Sequence, residues 1–235
     1  MLGVTAVALF SALAFAAGKP IADRRISAAE AQRLATIARA DSAFPIEMNE
    51  RVLKQLNLLL GTPDGREHLR ASLDRMSDYQ SMILARVERN HLPRELLAVP
   101  LVEAGYRNLP QGPNPRNGAG LWMFIEATAR RVGLIVNSAE DQRLDEARAT
   151  DAAVRVLSSL HAKFNDWGLA LLAYNAGEWR VARGIRDTGS RDAWTLANSG
   201  YENDADYLAR VTAAIVIIKN PAVLQGEGLR DRRAG

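Results

Sequence analysis

Residues 96–106 read LLAVPLVEAGY, an almost uninterrupted apolar run that closes on a glutamate, Glu103. On a helix, Leu96, Val99 and Glu103 lie at positions i, i+3 and i+7 and therefore share one face. A glutamate among buried residues is desolvated, which raises its pKa and lets it hold a proton near neutral pH, as a general acid must. The pattern also fits a glutamate that is exposed or ion-paired at a helix end, so both interpretations stay open at this point.

Two further segments place aromatic residues beside glycines. Residues 118–124 read GAGLWMF, and residues 170–177 read ALLAYNAG. The first follows a stretch from Leu109 to Gly120 that is rich in proline, glycine and asparagine, a composition typical of a surface loop that binds ligands. The second completes a stretch from Trp167 to Ala173 that is apolar almost all round, which predicts a central buried helix ended by Gly177.

Helix signals dominate the rest of the chain, whereas strand signals are scarce. Ser27 is a candidate N-cap with Glu30 three residues later, and residues 61–65, GTPDG, form a strong turn cluster. The sequence therefore predicts an all-α fold. Its predicted helical segments are Ser27 to Arg39, Ile46 to Leu60, Arg66 to Arg89, a helix from Pro93 to Glu103, Leu121 to Val132, Asp151 to Phe164, Trp167 to Ala173 and Tyr207 to Ile218.

Composition narrows the class of protein. The chain has 235 residues, of which 48% are hydrophobic and 24% charged, so it can bury a substantial core. Its net charge of +3 comes without a dense basic run, which argues against a nucleic-acid partner. The chain contains no cysteine, which excludes disulfides, thiolate metal sites and lipidation at cysteine.

The N-terminal residues predict an exported protein. Residues 1–17 carry no charged side chain and end in a small-x-small pattern, Ala14-Phe15-Ala16, so we expect a signal peptide there. The stretch is too short for a stable membrane span. We expect a periplasmic or cell-wall-associated protein that is not a lipoprotein. Its predicted divisions are a signal peptide over 1–17, an N-terminal helical segment over 18–90, a catalytic domain over 91–221 and a disordered tail over 222–235.

The sequence lacks the residue patterns of most known types of catalytic site. No phosphate-binding loop or nucleophile elbow is present, and the three histidines lie far apart without carboxylates at metal-ligand spacing, so we expect neither a metal nor a cofactor. Carboxylate acid–base chemistry remains. A glycosidase with two carboxylates needs a partner for Glu103, and the candidates are Glu95, Glu126 and Asp145. None makes a compelling pair, so a mechanism with one carboxylate stays open.

The three segments, in this order, resemble the motifs of lytic transglycosylases of glycoside hydrolase family 23. The corresponding pieces are the apolar lead into Glu103, Gly120-Leu121-Trp122-x-Phe124, and Ala173-Tyr174-Asn175-Ala176-Gly177. The nearest subgroup is the membrane-bound murein transglycosylase D type, and the resemblance extends over residues 46–221.

This resemblance implies a lysozyme-like, goose-type helical domain with an N-terminal helical extension, acting on the glycan strand of peptidoglycan without metal or cofactor. In such enzymes one glutamate, here Glu103, protonates the oxygen between N-acetylmuramic acid and N-acetylglucosamine. It then deprotonates the muramoyl C6 hydroxyl, which attacks C1 and leaves a 1,6-anhydro end. The resemblance also implies substrate-binding residues that line the glycan cleft, with the Tyr174 hydroxyl near Glu103. These residues are Trp122, Met123, Tyr174, Asn175 and Tyr207.

The chain departs from the family pattern at two motif positions, one directly after Glu103 and one in the second motif. Ala104 stands where the family usually has a serine, and Met123 where it usually has a glutamine. The alternatives are therefore a goose-type muramidase that admits water, a weakly active or non-catalytic peptidoglycan-binding protein, and a structural helical bundle with Glu103 exposed. The sequence leaves open endo or exo cleavage, stem-peptide preference, protein partners and oligomeric state.

Overall fold

A computed structural model describes residues 25–114 and 117–225 of the chain. The described residues form ten α-helices and two 3-10 helices, with two isolated β-bridges and no strand. The predicted all-α fold class is therefore confirmed. The α-helices are α1 (Ala28–Arg39), α2 (Glu50–Leu60), α3 (Pro63–Arg89), α4 (Ala98–Ala104), α5 (Glu126–Arg131), α6 (Glu146–Phe164), α7 (Trp167–Ala176), α8 (Glu178–Thr188), α9 (Ala193–Asn198) and α10 (Tyr207–Lys219); the 3-10 helices are Arg94–Leu97 and Pro221–Gln225.

Side-chain caps fix where six of these helices begin. In each, an oxygen of the preceding residue accepts a backbone N–H of the first turn, which satisfies a donor that has no partner within the helix. Ser27 caps α1 as the sequence predicted, by accepting the amide of Glu30. The other five capping residues are Asn49, Thr62, Asp145, Asp166 and Asp192.

Residues 121–125 do not form the predicted helix. They form a turn closed by the N–H of Ala119 donating to the carbonyl of Phe124 at 3.1 Å, and the next helix, α5, begins only at Glu126. Two backbone features prevent a helix: Met123 has a φ of 50° and Gly120 a φ of 75°. A Cβ at Gly120 would lie 1.9 Å from the carbonyl oxygen of Arg143, so only glycine fits there.

Helices α7 and α10 form the centre of the molecule. Nearly every residue of α10 is buried, and it packs on α1, α2, α4 and α7, while α6 packs on α7. One continuous cluster of buried apolar residues extends from Ile26 to Leu224. The helices before residue 90 therefore share their hydrophobic core with the helices after it, instead of forming a separate unit.

The structure near the C-terminus differs in part from the predicted disordered tail. Residues 222–225, assigned to a disordered tail from the sequence, belong to the second 3-10 helix, in which Val223 and Leu224 are buried against the core. Their apolar side chains explain the difference. The predicted signal peptide over 1–17 and the remainder of the predicted tail lie outside the described residues. Within residues 25–114 and 117–225, no helix has the length and apolar character needed to cross a membrane.

Candidate active site

Glu103 lies near the end of α4, which begins only at Ala98, because the first part of the predicted helix from Pro93 to Glu103 is a 3-10 helix. Leu96 in that 3-10 helix and Val99 in α4 are fully buried, and Glu103 is half-buried. The helix ends two residues later at Gly105, whose φ of 55° directs the chain away. A Cβ at Gly105 would lie 2.8 Å from the Ser72 hydroxyl, because α3 packs directly against this turn. The packing of α3 against this turn therefore fixes the position of the Glu103 backbone.

A hydrogen bond from α3 strengthens this arrangement. Arg75 donates through Nε to the carbonyl oxygen of Gly105 at 2.8 Å. On the other side of the turn, the buried Tyr106 donates its hydroxyl to the carbonyl oxygen of Leu97 at 2.8 Å. Both bonds satisfy carbonyls at the ends of a short helix, and they hold the segment that carries Glu103.

The surroundings of Glu103 favour its protonated form. The pKa of its carboxyl is raised from 4.5 to about 7, chiefly by burial and in addition by the negative charge of Asp204. The Tyr207 hydroxyl and the positive charge of Arg210 act in the opposite direction and lower the pKa. Because desolvation is the largest of these effects, Glu103 holds a proton near neutral pH, which a general acid requires. The exposed helix-end interpretation of Glu103 is therefore wrong.

Two tyrosines lie close to the Glu103 carboxyl, and burial together with its negative charge raises the pKa of both. Tyr207, at the start of α10, is 1% exposed, so it lies under the carboxyl instead of lining an open cleft as predicted. Its buried hydroxyl lies close enough to the Glu103 carboxyl to lower the pKa of that carboxyl, although the two groups do not meet at ordinary hydrogen-bond geometry. The half-buried Tyr174 donates its hydroxyl to the carbonyl oxygen of Trp122 at 2.7 Å, near Glu103 as expected.

Trp122 does not line the surface, contrary to the prediction. Its side chain is 1% exposed, and its indole Nε1 donates to the hydroxyl of Thr150 on α6 at 3.0 Å. The turn of residues 120–124 directs Trp122 into the core, where a large aromatic with a satisfied N–H is stable. Its backbone carbonyl, which accepts from Tyr174, still contributes to the site. Met123 follows it on the turn and is half-buried.

Asn175 has a role that the sequence did not reveal. Its side-chain oxygen accepts the backbone N–H groups of Asn203 and Asp204 at 2.9 and 3.2 Å, and its amide nitrogen donates to the Asp204 carboxylate at 3.3 Å. Asn175 therefore holds the segment before α10 against the end of α7. This contact brings Asp204 into the electrostatic environment of Glu103.

None of the three carboxylates proposed as a partner is engaged with Glu103. Glu95 is buried in an ion pair with Lys219, Glu126 pairs with Arg130 on its own helix, and Asp145 caps α6 and pairs with Arg148. Asp204 is the carboxylate that the structure brings close. Sequence reasoning missed it because it lies 101 positions away in an exposed polar segment that carries no motif.

Cavity size does not identify this site. A cavity of about 260 Å³ lies between α3, the first 3-10 helix and α10, and its walls include Glu95 and Lys219. Those two groups are paired with each other, and Glu103 is not among the lining residues. The raised pKa of Glu103 identifies the candidate site better than cavity size does, because a carboxyl that is protonated at neutral pH can act as an acid. Within residues 25–114 and 117–225, no group of three or more His, Asp or Glu side chains is placed to hold a metal ion.

Fold and site together define an all-α protein with one protonated glutamate suited to acid–base chemistry. The chain belongs to the transglycosylase SLT domain family, whose sequence model matches residues 80–197. The predicted family is thereby confirmed.

Individual relatives agree with this assignment. The chain is 30% identical over 180 residues to membrane-bound lytic murein transglycosylase D of Escherichia coli strain K12. The aligned region covers 74% of this chain and 38% of that protein. The chain is 33% identical over 108 residues to the peptidoglycan transglycosylase gp16 of Escherichia phage T7, covering 45% of this chain and 8% of that protein. The chain thus spans less than two-fifths of the length of these relatives.

A solved structure supports the fold. The X-ray structure of an inactive glutamate-to-glutamine mutant of the lytic transglycosylase Slt from Pseudomonas aeruginosa matches with a TM-score of 0.51. The match has 15% sequence identity and covers 86% of this chain and 38% of that one. At this identity the match shows the architecture, so the lysozyme-like fold expected from the resemblance is confirmed.

Proposed function

We propose that this chain is a peptidoglycan lytic transglycosylase in which Glu103 acts first as general acid and then as general base. The protonated carboxyl donates its proton to the glycosidic oxygen between N-acetylmuramic acid and N-acetylglucosamine. The resulting carboxylate takes the proton of the muramoyl C6 hydroxyl, whose oxygen bonds to C1 as the glycosidic bond breaks. The products are a 1,6-anhydromuramoyl end and a free N-acetylglucosamine end, and no water is consumed.

The observation that carries this proposal is the placement of Glu103 near the end of α4 beside the buried hydroxyls of Tyr174 and Tyr207, where burial raises its pKa to about 7. A general acid works best when its pKa lies near the working pH. Burial is the main cause that raises the pKa of the Glu103 carboxyl to about 7. Membership of the transglycosylase SLT domain family supports the reaction class. The names of the relatives support peptidoglycan as substrate, and we propose an exported, periplasmic or cell-wall location on the same ground.

We propose different roles for the five predicted substrate-binding residues. Met123 and Asn175 lie at the half-buried edge of the site, where they can contact sugar rings. The buried Tyr207 hydroxyl lies close to the Glu103 carboxyl and can donate to the carboxylate once Glu103 has lost its proton. Tyr174 donates its hydroxyl to the backbone carbonyl of Trp122, and this hydrogen bond holds the turn of residues 120–124 beside α7.

Asp204 favours a second candidate, a muramidase that hydrolyses the same bond. Its carboxylate lies close enough to influence the pKa of Glu103, so it is a candidate base for a water molecule. In a hydrolase of this kind, Asp204→Asn abolishes turnover. In a transglycosylase the same variant still forms anhydro ends, because Glu103 performs both proton transfers.

The test is mass spectrometry of purified peptidoglycan digested by the wild type and by Glu103→Gln. We expect 1,6-anhydromuramoyl products from the wild type and a loss of at least about 100-fold in the variant, since the proposed general acid is gone. Glu126→Gln, which removes a carboxylate from an ion pair on α5, is the matched control and keeps activity. Reducing muramoyl ends identify a muramidase, and the absence of both products identifies a binding protein.

A further inference from the structure

Trp179 is the one exposed tryptophan of the chain. Its side chain is 75% exposed, whereas Trp122, Trp167 and Trp194 are all buried. Lys163 lies over its ring, 5.1 Å from the centroid, and also pairs with Glu178. An indole left in water at the start of α8 is informative, since tryptophan is among the residues that most often dominate binding surfaces.

Trp179 forms part of an open depression of about 500 Å³, lined also by Arg180, Arg183, Gly200 and Tyr201. Its floor is fixed, because Arg180 donates to the carbonyl oxygen of Gly200 at 2.8 Å. Its far wall is fixed by the Tyr201 hydroxyl, which donates to the Asp187 carboxylate at 2.7 Å. The depression is therefore a formed surface feature of α8 and the segment after α9.

A glycine of α8 allows this close packing. A Cβ at Gly184 would lie 2.8 Å from the Tyr201 ring, so the ring can rest against the helix only because the side chain is missing. Gly184 is buried and Tyr201 half-buried as a result. The ring is held in place before any ligand arrives, which reduces the ordering that binding requires.

The charge of the depression is positive. Arg183 shares the Asp187 carboxylate with Tyr201, but Arg180 contacts only a carbonyl and has no carboxylate partner within the described part of the chain. A guanidinium that retains free N–H groups can bind a carboxylate through two parallel hydrogen bonds. The depression thus offers an aromatic ring and an available arginine side by side.

The depression is connected to the candidate active site through one short segment. Gly200 forms its floor, and Asp204, four residues later, lies beside Glu103. Four residues span at most about 14 Å even when fully extended. Asn175 holds the segment at Asp204, so the two sites have a fixed separation that a few sugar rings can cover.

We propose that this depression is a second binding subsite for the glycan strand, in which the apolar face of a sugar ring stacks on Trp179 and Arg180 binds a carboxylate that the strand carries. The inference rests on the proposed function, since it takes peptidoglycan as the ligand. The carboxylate has two sources in that polymer, the lactyl group of a strand without peptides and the stem peptide of an intact strand. Positive charge on the protein and negative charge on the strand favour this occupant over a neutral glycan.

The test measures binding in the Glu103→Gln background, so that no strand is cleaved. Soluble peptidoglycan strands are titrated while acrylamide quenching of tryptophan fluorescence is followed, which reports on Trp179 because the other three tryptophans are buried. We expect the strands to protect Trp179 from quenching. Affinities of the variants are measured by isothermal titration calorimetry, because Trp179→Ala removes the fluorescent reporter. We expect Trp179→Ala and Arg180→Gln each to weaken binding about tenfold. Leu58→Ala, which truncates an exposed apolar residue on α2, is the matched control and leaves affinity unchanged.

Three ligands separate the sources of the carboxylate. Strands with stem peptides, strands without peptides, and N-acetylglucosamine oligomers without carboxylates are compared for each variant. An Arg180 effect with the peptide-free strands alone supports the lactyl group, and an effect with the peptide-bearing strands alone supports the stem peptide. An effect with both strands but not with the neutral oligomers shows that Arg180 binds either carboxylate. An Arg180 effect of equal size on all three overturns the carboxylate assignment.

Equal affinity of Trp179→Ala and its parent, or unchanged quenching with bound strands, overturns the subsite. These results are independent of product analysis with the wild type. If the wild type releases 1,6-anhydro ends while Trp179→Ala binds normally, the subsite fails and the proposed function stands. If no product forms but Trp179 is protected, the proposed function fails and the subsite stands as a binding site.

Discussion

At the scale of single residues, the protonation of Glu103 depends on the charges around it. Asp204 raises the pKa of its carboxyl and Arg210 lowers it, and these two side chains also pair with each other at 3.6 Å. The acid is therefore tuned by two groups that come from outside its own helix. Burial remains the larger effect, which is why the carboxyl retains its proton near neutral pH.

Two substitutions should move the pH dependence of activity in opposite directions. A general acid is active while protonated, so kcat/KM falls as pH rises through the pKa of Glu103, about 7. Asp204→Asn removes a negative charge and lowers this pKa, so the alkaline limb moves to lower pH. Arg210→Gln removes a positive charge, raises the pKa and moves the limb to higher pH. Profiles of kcat/KM against pH for both variants check this, and shifts in the same direction would contradict it.

At the scale of elements, the segment between α9 and α10 depends on a single arginine of α2. Arg51 donates to the Asn198 side chain at 3.0 Å and to the Asp206 carboxylate at 2.8 Å, and it also pairs with the buried Glu202. Glu202 in turn accepts the N–H of Leu208 in the first turn of α10. The segment that carries Asp204 is thus clamped at both ends from the N-terminal helices.

Arg51→Met should loosen this segment and destabilise the fold. Removing one partner of a buried ion pair leaves Glu202 charged and unpaired, which costs about 3 kcal/mol. The matched control is Lys54→Met, since Lys54 pairs with Asp206 at 3.5 Å but is largely exposed. We expect it to cost less than about 1 kcal/mol. Urea unfolding measures both, and kcat/KM measured below the unfolding transition should fall for Arg51→Met alone. Equal losses for the two variants would exclude the clamp.

At the scale of the whole molecule, the raised pKa of Glu103 lowers stability. Between its ordinary value of 4.5 and about 7, the folded protein retains a proton that the unfolded chain has released. Stability therefore falls as pH rises through this range, and the loss is complete above it. Under the proposed function this loss of stability accompanies a useful property, because a general acid must hold its proton near neutral pH.

Glu103→Gln should accordingly stabilise the protein in a pH-dependent way. Below the ordinary pKa of the carboxyl, the variant and the wild type should have similar free energies of unfolding. Above about pH 7 the variant should be more stable, by an amount on the order of 3 kcal/mol. Urea unfolding at both ends of the range measures the difference. Glu126→Gln is the control and should show no such dependence, and a constant difference for Glu103→Gln would refute the raised pKa.

The sequence by itself indicated most of the helices, the candidate acid Glu103 and the family, but it did not predict α8 and α9. Apolar periodicity placed Leu96, Val99 and Glu103 on one face, and polar caps such as Ser27 marked where helices begin, because both signals are local in the chain. Local signals also located the GAGLWMF and AYNAG segments. They could not show that residues 121–125 form a turn, since the positive φ angles depend on packing against Arg143.

Only the tertiary structure decided what surrounds the acid. Asp204, Arg210 and Tyr207 lie about a hundred positions from Glu103 in sequence, and they reach it because Asn175 and Arg51 hold the intervening segment. Trp122 likewise faces the core and not the surface, since the turn that carries it is fixed by α6 and α7. Burial and electrostatic interactions depend on distances in space, which a linear pattern of residues does not specify.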